Sequence, residues 1–211
     1  MKILVGISGS IGVLGIHAHL ISLMMEEEVE EVRAVMTPTA ARFLNPRALE
    51  SFLRHPVHVD PWTDPGPGFS PPDLVQGVDL YLVAPASATT LSRCAAGSAE
   101  NLVASCYLAH TGPVAFAPVM SREMWEHPAV LRNLALLKKY GACLLPPGKG
   151  YLVTARKHDR GAICPYPVMW SRLKALVDEK RVEGRPVEEN PEDERSEEET
   201  QGRGAARQTP D

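Results

Sequence analysis

Two short apolar runs that each meet a proline constrain this chain more than any other feature. Leu80-Tyr81-Leu82-Val83-Ala84 leads into Pro85-Ala86-Ser87-Ala88-Thr89-Thr90, and Pro113-Val114-Ala115-Phe116-Ala117 leads into Pro118-Val119-Met120-Ser121-Arg122-Glu123-Met124-Trp125. A buried parallel strand reads as a continuous apolar run, and a proline, having no amide hydrogen, is expected where the strand gives way to a loop. Ligands of open α/β sheets sit outside the carboxyl ends of the strands, so two decorated strand ends predict one shared site.

The rest of the chain repeats this alternation. Residues 2 to 7 read as a first strand, and Gly6-Ile7-Ser8-Gly9-Ser10-Ile11-Gly12 turns into a helix through about Met25. Val32 to Met36 is the next strand, and Thr37-Pro38-Thr39 opens a helix because threonine caps exposed amides and proline suits the first turn. A helix from Pro46 to Arg54, a short strand at Val57 to Val59 and a loop from Asp60 to Pro72 follow. Helices are predicted over 88–96, 101–109 and 128–140, with a last strand at 142–145 and a final amphipathic helix over 168–177. Strands alternating with helices predict a doubly wound, Rossmann-like (flavodoxin-like) parallel sheet with helices on both faces.

A length of 211 residues with 44% hydrophobic content supports one core, assigned to residues 1–180. Residues 181–211 are Glu, Arg, Pro and Gly with almost no apolar side chains, the composition of a disordered charged tail. A net charge of −4 with dispersed cations points away from nucleic acid. No apolar run approaches the roughly 20 residues that span a bilayer. Cys94, Cys106, Cys143 and Cys164 have no metal-type spacing, and no leader pattern is evident, as expected of a reduced cytoplasmic protein.

The first turn, Gly9-Ser10-Ile11, presents backbone amides at a helix start, where the dipole favours an anion such as phosphate. The same residues also serve an ordinary tight strand-to-helix turn, and they do not form the dinucleotide fingerprint. Thr37 and Thr39 repeat the arrangement on the adjacent strand, and Ser87, Thr89 and Thr90 add hydroxyls at the central strand end. Together they suit a phosphorylated, hydroxylated, partly aromatic cofactor. The segment from Gly148 to Gly161 shows little periodicity and reads either as a surface loop or as a mobile flap, 148–163, over the site.

In order and spacing, five segments resemble the homo-oligomeric flavin-containing cysteine decarboxylases: the Gly9-Ser10 turn, Thr37-Pro38-Thr39-Ala40-Ala41-Arg42-Phe43, the Pro85–Thr90 run, Ala99-Glu100-Asn101-Leu102 and the Pro118–Trp125 run. The resemblance implies FMN, with FAD possible, held by Gly9, Ser10, Ile11, Thr37, Thr39, Phe43, Pro85, Ala86, Ser87, Ala88, Thr89, Thr90, Val119, Met120 and Trp125. It implies a trimer or dodecamer, no metal, and oxidative decarboxylation of a peptide's carboxy-terminal cysteine to an aminoenethiol, as in lantibiotic-type enzymes. Phosphopantothenoylcysteine decarboxylases of the same family carry a flap cysteine that helps reduce the enethiol; Ala155 stands there in this chain. A non-catalytic flavin-binding regulatory protein is the third alternative.

The departures from the family pattern concern catalysis. Its histidine, fourteen residues before Pro85, is Pro71 here; its carboxylate-holding asparagine is Ser121, and the asparagine of its Pro-Ala-Ser-Ala-Asn-Thr sequence is Thr89. The candidates that remain for the chemistry are Ser121, Met120, His127 and Arg156. His55 and His58 read as ordinary surface or packing histidines, and Asp73 as a helix cap.

Overall fold

Apolar side chains that alternate between two faces organise the sheet. In the computed structural model, which describes residues 1–59, 70–152 and 156–183, β1 (Lys2–Ile7), β2 (Glu31–Met36), β3 (Leu80–Ala86), β4 (Val114–Pro118) and β5 (Cys143–Leu144) pair in the order β2-β1-β3-β4-β5, all parallel. This is the flavodoxin-like order of a doubly wound sheet. Ile3, Val5 and Ile7 of β1 and Leu80, Leu82 and Ala84 of β3 face one core. Leu4, Tyr81 and Val83 face the other.

Helices cover both faces. Beside the first core lie α1 (Ile16–Met24), α3 (Pro46–Leu53) and α9 (Tyr166–Glu183), through residues such as Leu20, Leu49 and Met169. Beside the second lie α4 (Pro71–Val75), α5 (Ala88–Ala96), α6 (Leu102–Ala109) and α8 (Pro128–Lys139). Two short helices, α2 (Pro38–Ala41) and α7 (Arg122–Trp125), begin at strand ends. By its contacts the chain divides into Met1–Lys180 and Arg181–Asp211; residues 184–211, most of the expected tail, lie outside the described residues.

Several local expectations need correction. The strands do not stop at their prolines: β3 runs through Pro85, which follows a cis peptide, to Ala86, and Ala86 pairs with Pro118 after a register shift. Both prolines sit at this irregular strand end, where the regular ladder has already been interrupted. Val57–Val59 contributes a single bridge, Val35 to His58, rather than a strand. Pro71 and Pro72 belong to α4 instead of a loop, because Ser70 caps the helix and Asp73 closes a capping box back onto the Ser70 amide at 3.2 Å. Residues 60–69 of that predicted loop lie outside the described residues.

The segment without periodicity is an antiparallel hairpin, β6 (Gly148–Leu152) with β7 (Lys157–Ala162). Exposed polar residues on both strands hide its period of two. The last helix extends beyond the predicted 168–177 at both ends, because Pro167 suits a first turn and residues 178–183 are mostly strong helix formers.

Candidate functional site

Ser8 joins the ends of β1 and β3. It is fully buried, its hydroxyl donates to the Pro85 carbonyl at 2.7 Å, and the Ser87 amide donates to its oxygen at 2.7 Å. The loop after β1 then turns through a 3-10 segment, Ile11–Gly15, capped by Ser10, whose hydroxyl accepts from the Gly12 amide at 3.3 Å. Close approach fixes its glycines. A Cβ on Gly9 would stand 2.6 Å from Thr39 Cβ, and one on Gly12 would stand 3.0 Å from Val119 Cγ1.

The loops after β3 and β4 are built alike. Ser87 caps α5, accepting from the Thr90 amide at 3.3 Å, and Ser121 caps α7, accepting from the Met124 amide at 3.4 Å. The first-turn amides of Ala88 and Thr89 have no intrahelical acceptor. The carboxylate of Glu123 is held below its usual range by its own amide and then by the Ser121 hydroxyl.

These three loops and the hairpin enclose a cleft of about 530 Å³ at the switch point between β1 and β3. That volume falls within the range of about 300–1,000 Å³ usual for small-molecule and cofactor sites. Its lining includes the hydroxyls of Ser10, Ser87, Thr89 and Ser121 and the apolar side chains of Ile11, Leu14, Val119, Met120, Met124 and Ile163.

Of the residues named from sequence, Gly9, Ser10, Ile11, Ser87, Ala88, Thr89, Val119, Met120 and Ser121 line this cleft. Others stand behind it. Pro85 and Ala86 are turned to structural bonds through their carbonyls, Thr90 is buried with its hydroxyl 3.1 Å from that of Ser87, and Thr37 caps α2 by accepting from the Ala40 amide at 3.2 Å. Thr39 packs beside Gly9. Phe43 is half exposed in the turn after α2 and is not part of the lining.

Trp125, His127 and Arg156 lie apart from the cleft lining. Trp125 borders a smaller recess of about 130 Å³ with Leu131, Pro147 and Gly161. His127 caps α8, its Nδ1 accepting from the Ala129 amide at 3.2 Å, which commits that ring nitrogen to the helix. Arg156 is exposed with a positive φ of 50°, next to residues 153–155, which lie outside the described residues. Asn101, from the family-like Ala99–Leu102 segment, caps α6, and its buried Nδ2 has no hydrogen-bond partner among the described residues.

Sequence reasoning did not assign Ser8, Gly12, Leu14 or Gly15 to the site, although Ser8 and Gly12 lie in the glycine-rich turn it singled out. It reached Tyr151, Gly161, Ala162 and Ile163 only collectively, as the flap over 148–163, one of two readings of that segment.

None of the four cysteines lines the cleft. Burial pushes the thiols of Cys94 and Cys106 up to about 12, and it raises Cys143 and Cys164 as well. Among the described residues there is no metal-type cluster of His, Cys, Asp and Glu, and no helix is long and apolar enough to cross a membrane.

A serine-capped, part-apolar cleft at the switch point of a 2-1-3-4-5 sheet defines an α/β cofactor-binding protein. The family model described as Flavoprotein matches residues 1–176, and the chain belongs to that family. A coenzyme A biosynthesis bifunctional protein of Mycobacterium tuberculosis is 38% identical over 161 residues, 76% of this chain and 37% of that protein. The matched region thus spans little more than a third of these bifunctional relatives. Mersacidin decarboxylase of a Bacillus species is 34% identical over 168 residues, 78% of this chain and 84% of that protein.

Among solved structures, the FMN-dependent cysteine decarboxylase SpaF superposes with a TM-score of 0.72 at 27% identity, covering 84% of this chain and 97% of that one. A PPC decarboxylase mutant complexed with pantothenoylaminoethenethiol gives 0.70 at 27% identity, covering 84% and 98%.

Proposed function

We propose that this chain binds FMN in the β1/β3 cleft and oxidatively decarboxylates the carboxy-terminal cysteine of a ribosomal precursor peptide, releasing an aminoenethiol for aminovinyl-cysteine formation. The observation that carries the reading is the composition of the cleft: hydroxyl and amide donors, an apolar wall, and no thiol. The donor set fits a flavin mononucleotide. Ser10, Ser87 and the free amides of Ala88 and Thr89 suit phosphate and ribityl oxygens, and Ile11, Val119 and Met120 suit a flat ring. A flavin bound there supplies a two-electron acceptor for the cysteine side chain.

The chain's own residues do the holding. The Ser121 hydroxyl, on the cleft lining, turns from Glu123 to donate its one hydrogen bond to the substrate carboxylate in this reading. Met120, Met124 and Tyr151 exclude water around the reacting carbon. With every cysteine outside the cleft, no protein thiol is available to reduce the unsaturated product, which therefore leaves as the enethiol. The likeness to mersacidin decarboxylase over 84% of its length supports this reading.

A homo-oligomer is part of the proposal. Leu14 of the 3-10 turn, Ala18 and Ile21 of α1, and Met25 at its end are exposed, an apolar set that begins on the cleft wall. Monomers rarely leave such a set open to water.

The second reading, phosphopantothenoylcysteine decarboxylation, is favoured by the 38% identity to the bifunctional relative. Mass spectrometry separates the two. Cysteine-terminated peptides should lose carbon dioxide and two hydrogens when incubated aerobically with the flavin-loaded protein. Exclusive turnover of phosphopantothenoylcysteine would establish the second reading instead.

A further inference from the structure

The hairpin carries a charge pattern that the cleft does not use. Residues 148–162 hold four cations, Lys149, Arg156, Lys157 and Arg160, against one carboxylate, Asp159, in a chain whose net charge is −4. Lys149 stands directly opposite Arg160 across the antiparallel ladder. Like charges in that position repel and destabilise a hairpin unless an anion lies between them.

The neighbouring charges are already paired. Lys157 binds Asp159 at 2.9 Å, and Arg122 binds Glu126 at 2.7 Å. Among the described residues, Lys149 and Arg160 have no ion-pair partner. Both face an open recess of about 700 Å³, between the hairpin and α7, that Arg122 and His158 also border, together with the already paired carboxylates of Glu126 and Asp159.

The recess lies beside the cleft, with lining residues shared through a third, smaller recess. Arg122 and Arg160 border both it and the small Trp125 recess, while Gly161 borders that recess and the cleft. The two cations therefore stand next to the site that a substrate's terminal cysteine would occupy beside Ser121. Tyr151, on the cleft wall, and His158, in the basic recess, meet edge to face with centroids 5.4 Å apart, so one ring pair separates the two compartments.

We propose that Lys149 and Arg160 form an anion subsite for an acidic side chain of the substrate peptide, a few residues before its terminal cysteine. The inference rests on the peptide reading of the cleft and adds a recognition element to it. Exposed ion pairs are weak singly and screened by salt, so two cations on one carboxylate amount to about a fivefold preference at low ionic strength.

The test is fluorescence anisotropy of labelled peptides ending in cysteine and differing only in Glu or Gln at the second to fifth positions before it. The full-length, flavin-loaded protein is compared with its Lys149→Glu/Arg160→Glu variant, whose fold and flavin content are checked by circular dichroism and absorbance. The wild type should bind the best Glu peptide about fivefold more tightly than its Gln counterpart. That difference should vanish at 0.5 M salt, and the variant should reverse it. Equal binding of Glu and Gln peptides by the wild type, or a preference that survives the double reversal, overturns the subsite.

Turnover is read separately. Charge-dependent binding without decarboxylation of any peptide leaves the subsite standing while the peptide-decarboxylase reading fails. If phosphopantothenoylcysteine alone binds, with an affinity that falls in the variant, the anion is a phosphate and the acidic-peptide assignment is overturned.

Discussion

The hydroxyl of Ser8 and the amide of Ser87 meet at 2.7 Å, joining residues from two different strand ends in one buried bond. The same hydroxyl donates to Pro85, so a single oxygen sets the spacing between the β1 and β3 loops. Ser8→Ala should destabilise the fold by about 1–3 kcal/mol, the range for leaving buried partners unsatisfied. Urea denaturation measures the loss, and flavin titration should show weaker retention because both loops lose their common anchor. Unchanged stability would show that water replaces the hydroxyl.

Gly9 gives a paired test. Alanine there overlaps the Thr39 side chain, and the atoms it meets include Cβ, which no rotamer change removes. Gly9→Ala should release flavin readily, and Thr39→Gly in the same chain should restore part of the binding. Equilibrium dialysis of wild type, both single variants and the double variant reads the coupling directly. Strict additivity of the two substitutions contradicts the contact.

Ser121 carries two roles that separate by measurement. As the cap of α7 its loss costs about 1 kcal/mol of stability. As a carboxylate donor its loss should lower kcat/KM by about tenfold or more, since hydrogen bonds to charged groups are the stronger class. Ser121→Asn, which both caps and donates, should retain activity better than Ser121→Ala. Equal activity of the two variants removes Ser121 from substrate binding.

The buried thiols predict a pH dependence. The pKa values of Cys94 and Cys106 are raised to about 12 in the fold from an ordinary 9.0, so their contribution to stability is fully present below pH 9. It is lost progressively as pH rises from there, because the unfolded chain releases those protons first. Thermal unfolding between pH 7 and 10.5 should show the decline, and Cys94→Ala should make it shallower. At pH 8, iodoacetamide should modify both residues only as fast as the protein opens.

The exposed apolar residues from Leu14 to Met25, along and beside α1, make the quaternary prediction. Ile21→Asp places a charge in the middle of them, and light scattering should register a shift from oligomer toward monomer while circular dichroism stays unchanged. An unaltered mass assigns the interface elsewhere.

The sheet was legible because its strands are buried on both faces and so read as apolar runs. Loop chemistry was legible wherever the reading depended on a cap or a close glycine, as at Thr37 and Gly9. The hairpin was not: Lys149 and Arg160 are exposed, so no burial periodicity marks them. His127 is a different case. Its place beside the Met124-Trp125 segment suggested chemistry, whereas its ring nitrogen caps a helix, a role that histidine shares with many polar residues. Pro71 read as loop because two consecutive prolines usually break helices, yet both fit a first turn whose amides need no acceptor.

Gly12 and Val119 touch across most of the domain's sequence, and this contact has a bearing on how the protein is made. A nascent chain that ends before β4 has the glycine turn and the β3 loop but no far wall, so it has nothing with which to grip a ligand. The cleft is assembled only when this non-local contact and the later hairpin wall have both formed, and contacts of high sequence separation form slowly. A ligand captured there adds its binding energy to the finished fold and not to its precursors, so cofactor supply during synthesis should govern how much mature protein accumulates.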